Sequence, residues 1–377
     1  MDIKPFLVEE WMNAWEVGAR YNIAETCVDS VSLDELFKLT GENRERFLAS
    51  ITERRLTYGD IEGSDELKRG IVNLYKTMRK DNIVITHGAA GANHHVFYSL
   101  VKPGDRVISI MPTYQQLYSI PESYGADVKV VKLKEENGYL PDLNEIESLV
   151  TPETRLICIN NPNNPTGALM STEMLRNIID IALKSNAYIM CDEVYRHLTQ
   201  EDGYSESIAD LYNRGISVSS MSKVFSLAGI RVGWICCHNM DFIRSCLSHR
   251  DYNLISVGMI DDAIASLALR HVGEILKRNR SIVRTNLEIL DRWVSSEKMV
   301  HYVKPKAGTT ALVYYDYNIP SRKLCEEMYK QTGAFVTPGE CFDEERCMRI
   351  GYAADTEVLK KGLAAISEYF RILEERK

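Results

Sequence analysis

Lys223 closes the run Ser220-Met221-Ser222-Lys223, and eight residues later Arg231 sits within Gly229-Ile230-Arg231-Val232-Gly233. An amine and a guanidinium at that spacing suit one ligand carrying an aldehyde and a phosphate: the amine condenses with the aldehyde as a Schiff base, and the guanidinium grips the phosphate. Alone the pattern says little, because a lysine after a serine-rich turn is ordinarily a solvated surface residue.

Three further stretches add to it. Asp192-Glu193-Val194-Tyr195 follows the apolar run Ala187-Tyr188-Ile189-Met190-Cys191. So short a run reads as a buried parallel strand, with Asp192 at its carboxyl end, where open α/β sheets place ligands. A carboxylate there either caps a following helix or pairs with a cation such as a protonated pyridine nitrogen. Next, Asn160-Asn161-Pro162-Asn163-Asn164-Pro165-Thr166-Gly167 follows the strand-like Arg155-Leu156-Ile157-Cys158-Ile159. Its prolines and glycine fix a turn, which is either turn chemistry alone or a mount that aims the Asn164 amide at a phenolate oxygen. Last, Thr86-His87-Gly88-Ala89-Ala90-Gly91-Ala92 opens an apolar helical pattern. Small residues at a helix start let backbone N–H groups approach a phosphate, although the stretch matches neither a Walker nor a dinucleotide fingerprint.

In this order, and with the late Arg349 in Cys347-Met348-Arg349-Ile350-Gly351, the stretches resemble the fold-type I pyridoxal-phosphate enzymes, specifically the class I/II aminotransferase family. The resemblance covers nearly the whole chain. It implies that Lys223 binds the aldehyde of pyridoxal 5'-phosphate, that Asp192 pairs with the pyridine nitrogen, and that Asn164 and Tyr195 hydrogen-bond the phenolic oxygen. It makes Tyr114, in Pro112-Thr113-Tyr114, the aromatic residue stacked on the ring, which is otherwise a core tyrosine. Ser220, Arg231 and the amides of Ala89 and Ala90 become the phosphate cup. Tyr58, in Tyr58-Gly59-Asp60-Ile61, matches the tyrosine that family members lend to the phosphate of a neighbouring subunit, so a homodimer with shared active sites is expected. Arg349 matches the arginine that takes the substrate α-carboxylate, where a planar fork gives a bidentate grip, and Asn164 is expected to contact substrate as well as cofactor.

Composition sets bounds. The chain has 377 residues, a formal net charge of −8 and 45% hydrophobic content, enough for two packed domains. The mildly acidic balance gives no electrostatic reason to expect nucleic acid or an anionic membrane. No apolar run approaches the ~20 residues that span a bilayer, and Met1-Asp2-Ile3-Lys4-Pro5-Phe6 lacks a signal-peptide pattern, so a cytoplasmic protein is expected. The nine cysteines form no Cys-x-x-Cys pair, and several lie in apolar runs, as buried reduced thiols would. No metal is expected: His94 and His95 are adjacent, and on a helix they diverge by roughly 100°.

The elements that must carry these residues alternate from about Asp81 to about Ile255. Strand-like runs at Ile83 to Thr86, Arg106 to Ile110, Asp127 to Val131, Leu156 to Asn160, Tyr188 to Cys191, Ser217 to Ser219 and Val232 to Cys236 are separated by helical or turn segments. This predicts an α/β fold with a mostly parallel, doubly wound sheet. A long helix from about Val272 to Trp293 leads to strand-like runs at Thr310 to Tyr315, Ala334 to Thr337 and Cys347 to Gly351, and to a closing helix. The resemblance adds a smaller α+β domain built from residues 1–45 and 285–377 beside a large cofactor domain of residues 46–284.

The expected reaction is transamination between an L-amino acid and a 2-oxo acid. The same cofactor residues serve β-eliminating lyases and arginine-acting cyclases or oxidases, because the outcome depends on groups around the substrate side chain. Glu25, in Ala24-Glu25-Thr26-Cys27, either caps its own turn or faces that side chain and favours a cationic one. A ligand-sensing transcription regulator is disfavoured, since the segment before residue 81 leaves no room for a separate DNA-binding domain.

Overall fold

The computed structural model describes residues 2–202 and 205–375. Its central sheet has seven strands in the order Ile83–His87, Val232–Cys236, Gly215–Ser220, Tyr188–Asp192, Thr154–Asn160, Arg106–Met111 and Asp127–Lys132. All seven runs read from the sequence are present. Only Val232–Cys236 is antiparallel to its neighbours, so the sheet is mostly parallel as expected. That strand runs backward because the chain turns straight back after Ser220, and the turn carries both Lys223 and Arg231.

These runs form strands because they are apolar on both faces and are covered on both. Val84, Leu156, Met190 and Ile235 pack with Val96 and Phe97 of the helix Gly88–Leu100. Ile108, Ile157 and Ile189 point the other way, onto Leu175, Ile178 and Ala182 of the helix Thr172–Leu183, whose start is capped by Ser171 accepting from Met174 N. Two cores with the sheet between them make the doubly wound arrangement, and its ligand crevice lies beyond the strands' carboxyl ends.

A second, antiparallel sheet has the order Thr337–Pro338, Cys347–Gly351, Thr310–Tyr315 and Val300–Tyr302. The last strand was not read from the sequence. The N-terminal segment joins this part of the molecule through a parallel pair, Tyr21–Asn22 with Ala334–Phe335. The run from Ala334 to Thr337, expected as one strand, is therefore two strands in different sheets. The break falls at Val336, whose carbonyl accepts the Trp11 indole N–H at 2.9 Å instead of a sheet partner. The long helix spans Val272–Ser296 and the closing helix Thr356–Glu375. Among the described residues no helix is long and apolar enough to cross a membrane, and all nine cysteines are buried and unpaired.

Candidate active site

A cavity of about 280 Å³ lies beyond the carboxyl ends of the central strands, closed on one side by the second sheet and on another by the helix Leu7–Trp15. It is lined by Lys223, Asp192, Tyr195, Asn164, Tyr114, Ser220, Arg231, Ala89, Ala90, Arg349 and Glu25. Of the residues singled out in the sequence, only Tyr58 lies elsewhere, 64% exposed on the surface of the chain. An open groove of about 570 Å³ beside Trp293, Leu363 and Phe370 is larger, but none of those residues faces it.

The strand Tyr188–Asp192 delivers Asp192 to the cavity floor, 3% exposed. Its Oδ1 accepts from Val194 N at 3.2 Å and its Oδ2 from Asn93 Nδ2 at 3.3 Å. No helix follows, so the capping alternative falls away. Burial pushes its pKa up to about 6, against the weaker pull of the two N–H donors and Lys223. A carboxylate so placed is stabilised by an added cation.

The neighbouring strand Thr154–Asn160 leads into the asparagine turn. Asn160 Nδ2 donates to the Asp192 carbonyl at 2.9 Å, and Asn164 N donates to Asn160 Oδ1 at 2.7 Å, which locks the turn to the adjacent strand end. Asn164 Oδ1 accepts from Arg349 Nη1 at 3.2 Å, so its NH2 group is what it can offer a ligand.

Just past the end of Gly215–Ser220, Lys223 is half-buried, and its Nζ donates to Thr26 Oγ1 at 2.7 Å and to Cys27 Sγ at 3.5 Å. Burial works against its ammonium, but the acidic groups around it, Cys27, Tyr195, Glu25 and Tyr114, outweigh this and hold its pKa above the ordinary lysine value. Arg231 takes a left-handed backbone (φ 47°) and packs its guanidinium against the start of the helix Gly88–Leu100. Gly88 makes that approach possible, since a Cβ there would meet Arg231 Nη2 at 2.6 Å. Gly233 does the same for the strand, where a Cβ would lie 2.3 Å from the Gly88 carbonyl carbon. Arg231, Ser220, Ser222 and the first amides of that helix thus converge on one end of the cavity, a ready anion site.

Arg349, on Cys347–Gly351, enters from the second sheet and is 3% exposed. Its Nη2 donates to the Ala24 carbonyl at 3.0 Å and to Thr337 Oγ1 at 3.1 Å, while its Nε has no partner among the described residues. Burial lowers its pKa, and among the described residues its hydrogen-bond partners are an amide, a carbonyl and a hydroxyl, with no carboxylate in an ion pair. An incoming carboxylate would meet this need.

Glu25 makes the turn cap expected of it, and it also lies at the cavity. Its Oε1 caps its own turn, accepting from Thr26 N at 2.7 Å and Cys27 N at 2.8 Å, and its side chain also borders the cavity. Burial opposes its charge, but Lys223 and the Cys27 and Thr26 N–H groups prevail and lower its pKa. The Tyr114 hydroxyl donates to Glu9 Oε1 at 3.2 Å, and its ring packs against Phe6. Sequence reasoning missed Thr26 and Cys27 beside Lys223, Asn93 behind Asp192, and Glu9, Met12 and Glu16, which the helix Leu7–Trp15 and its end turn toward the cavity. Only the helical spacing of Glu9, Met12 and Glu16 was visible beforehand, and nothing in it named a target.

With this geometry in place, the family model for aminotransferase class I and II matches residues 32–366. The chain belongs to the class I and II aminotransferase family. Among relatives of this aminotransferase-family protein, capreomycidine synthase of Streptomyces vinaceus is 28% identical over 365 residues, covering 96% of this chain and 92% of the relative. Aspartate aminotransferase of Pyrococcus horikoshii is 29% identical over 330 residues, with 81% of each covered. A solved PLP-dependent aminotransferase from Streptococcus suis 89-1591 is 43% identical, with a TM-score of 0.96 and 99% of both chains covered. The PLP-dependent cyclase OrfR, 23% identical with a TM-score of 0.90 over 100% of this chain and 99% of its own, shares the fold.

The cofactor of the aminotransferase family member is pyridoxal phosphate. The cavity has a counterpart for each of its parts: an anion site at Arg231 and the helix start, a half-buried amine at Lys223, and at Asp192 a carboxylate whose raised pKa calls for a cation.

Proposed function

We propose that this protein is a pyridoxal-phosphate-dependent aminotransferase that moves an amino group between an L-amino acid and a 2-oxo acid. The observation that carries the proposal is the placement of Lys223 and Arg349 in one cavity. A restrained amine able to move a proton faces a guanidinium that lacks a carboxylate partner.

When bound, the cofactor supplies an electron-withdrawing ring that makes the α-proton of an attached amino acid acidic. Asp192 holds negative charge against the ring nitrogen, and Asn164 and Tyr195 donate to the phenolic oxygen. Ser220, Arg231 and the Ala89 and Ala90 amides take the phosphate, and Tyr114 covers the ring. Arg349 grips the α-carboxylate and so orients the α-carbon toward Lys223 Nζ. With the cofactor and substrate bound, Lys223 Nζ would be free as the neutral amine and would take the α-proton and return it, steadied by Thr26 Oγ1. The proposal includes a homodimer in which Tyr58 crosses to the partner's phosphate site, a cytoplasmic location, and a division into residues 46–284 and residues 1–45 with 285–377.

A second reading, cyclisation or elimination on a cationic amino acid, is favoured by Glu9, Glu16 and Glu25, three carboxylates that border the cavity in addition to Asp192, and by the likeness to capreomycidine synthase. Purified protein loaded with cofactor and mixed with a panel of amino acids separates the readings. Stoichiometric 2-oxo acid without ammonia supports transamination. Ammonia released in step with 2-oxo acid would replace that reading with elimination, peroxide with oxidation, and a product that keeps its amino nitrogen with cyclisation.

A further inference from the structure

Asn93 lies in the second turn of the helix Gly88–Leu100 and is fully buried. Its Nδ2 donates to Asp192 Oδ2 at 3.3 Å and to Gln116 Oε1 at 3.1 Å. Gln116 in turn donates through Nε2 to the Ala90 carbonyl at 3.5 Å. The orientation of the Asn93 amide is determined by these partners: reversed, its oxygen would face a carboxylate and a carbonyl oxygen. In the orientation observed, both N–H bonds are used and Oδ1 is left buried without a partner among the described residues. A buried unpaired carbonyl is unfavourable, and an apolar side chain of similar size would avoid it. The stability lost there goes with the pair of N–H bonds aimed at Asp192 and Gln116.

We propose that Asn93 is a positioning residue for Asp192: its NH2 group keeps the carboxylate charged and aimed into the cavity, and through Gln116 it is itself held to the Ala90 carbonyl in the first turn of the same helix. This rests on the reading that Asp192 faces the cofactor's ring nitrogen. The remaining groups that bear on Asp192 are the Val194 N–H, the Lys223 ammonium, the Tyr114 hydroxyl and the Cys191 thiol. Of the side chains among these, Lys223 alone is cationic, and the cofactor engages it. Asn93 is therefore the side-chain donor left to hold Asp192 ionised as the pH falls.

The test compares the cofactor-loaded wild type with Asn93→Leu and the isosteric Asn93→Asp, which sets a second acid beside Asp192. The pH at which half the cofactor is released on dialysis, read from its visible absorbance, should rise by about one unit in Asn93→Leu, as expected for losing a charge-assisted hydrogen bond. Turnover should fall about tenfold with KM unchanged, and Asn93→Gln, which restores a donor, should recover part of both. Asn93→Asp should shift the release midpoint in the same direction, which keeps the test valid if the leucine variant does not fold. Wild-type midpoints in the folded variants, or a loss of thermal stability alone, would overturn the proposal. Asp192→Asn, run in parallel, separates the two ideas. If it too keeps wild-type release and turnover, the role given to Asp192 fails; if it is impaired while the Asn93 variants are not, only the role of Asn93 fails.

Discussion

Lys223 Nζ donates to Thr26 Oγ1 at 2.7 Å across 197 residues of sequence. The bond joins the turn after a central strand to the N-terminal segment, and it fixes the amine where Arg349 and Asp192 both border the same cavity. Thr26→Val keeps the shape of the side chain and removes the hydroxyl. Turnover should fall about tenfold, the scale of one hydrogen bond to a charged group, with little change in KM. Steady-state kinetics on the folded variant check this, and unchanged turnover would make Thr26 a bystander.

Asp192 gives a prediction in which stability and activity move in opposite directions. Its pKa is about 6 in the folded, cofactor-free chain against 3.8 for an ordinary aspartate, so the folded state binds the proton more tightly than the unfolded one. Stability from this group is therefore greatest below about pH 4 and is lost as the pH rises toward 6. Cofactor-free Asp192→Asn should be more stable than the wild type at pH 7.5, by roughly 2–3 kcal/mol, and no more stable at pH 4. Thermal melts at the two pH values decide it. The loaded variant should lose turnover on the order of a thousandfold, because a neutral amide no longer supports the protonated ring.

Much of this site was legible in the sequence because each motif follows a strand buried on both faces. The runs ending at Asn160, Asp192 and Ser220 are short and apolar, and the residues after them could only emerge at the strand ends. Strand direction was not legible for Val232–Cys236, since apolar composition is the same for a parallel and an antiparallel strand. The partners of the motif residues were also hidden. Thr26 and Cys27 meet Lys223 only through the packing of the N-terminal segment onto the second sheet, and Asn93 looks like any polar residue on a helix until Asp192 is seen behind it. The break at Val336 depends on the Trp11 indole, from the other end of the chain.

On the proposed function, Arg349 would take the α-carboxylate and Glu25 would bear on the side chain of the substrate. Arg349→Lys replaces a planar fork with a point charge and should raise KM about tenfold or more for every amino-acid substrate. Glu25→Gln keeps an acceptor for the Thr26 and Cys27 N–H groups while removing the charge, so it should raise KM only for cationic substrates. Equal effects on neutral and cationic substrates would remove Glu25 from side-chain recognition and leave the transamination proposal standing.

Tyr58 is exposed in the single chain and is expected to act in the partner's site. In a mixed dimer of a Lys223→Ala chain with a Tyr58→Phe chain, one site should carry both lesions and the other neither, giving about half the wild-type activity. A mixed dimer with no site at wild-type activity, one site carrying the Lys223→Ala lesion and the other the Tyr58→Phe lesion, would show that lysine and tyrosine come from the same chain.

Lys223 is the residue on which the proposed chemistry depends most directly. Reduction of the cofactor-loaded protein with borohydride, followed by digestion and peptide mapping, should place the pyridoxyl group on the peptide containing Ser220-Met221-Ser222-Lys223, and Lys223→Ala should retain its fold and carry no label. A pyridoxyl group on any other lysine of the wild type, or an equally labelled Lys223→Ala, would contradict it.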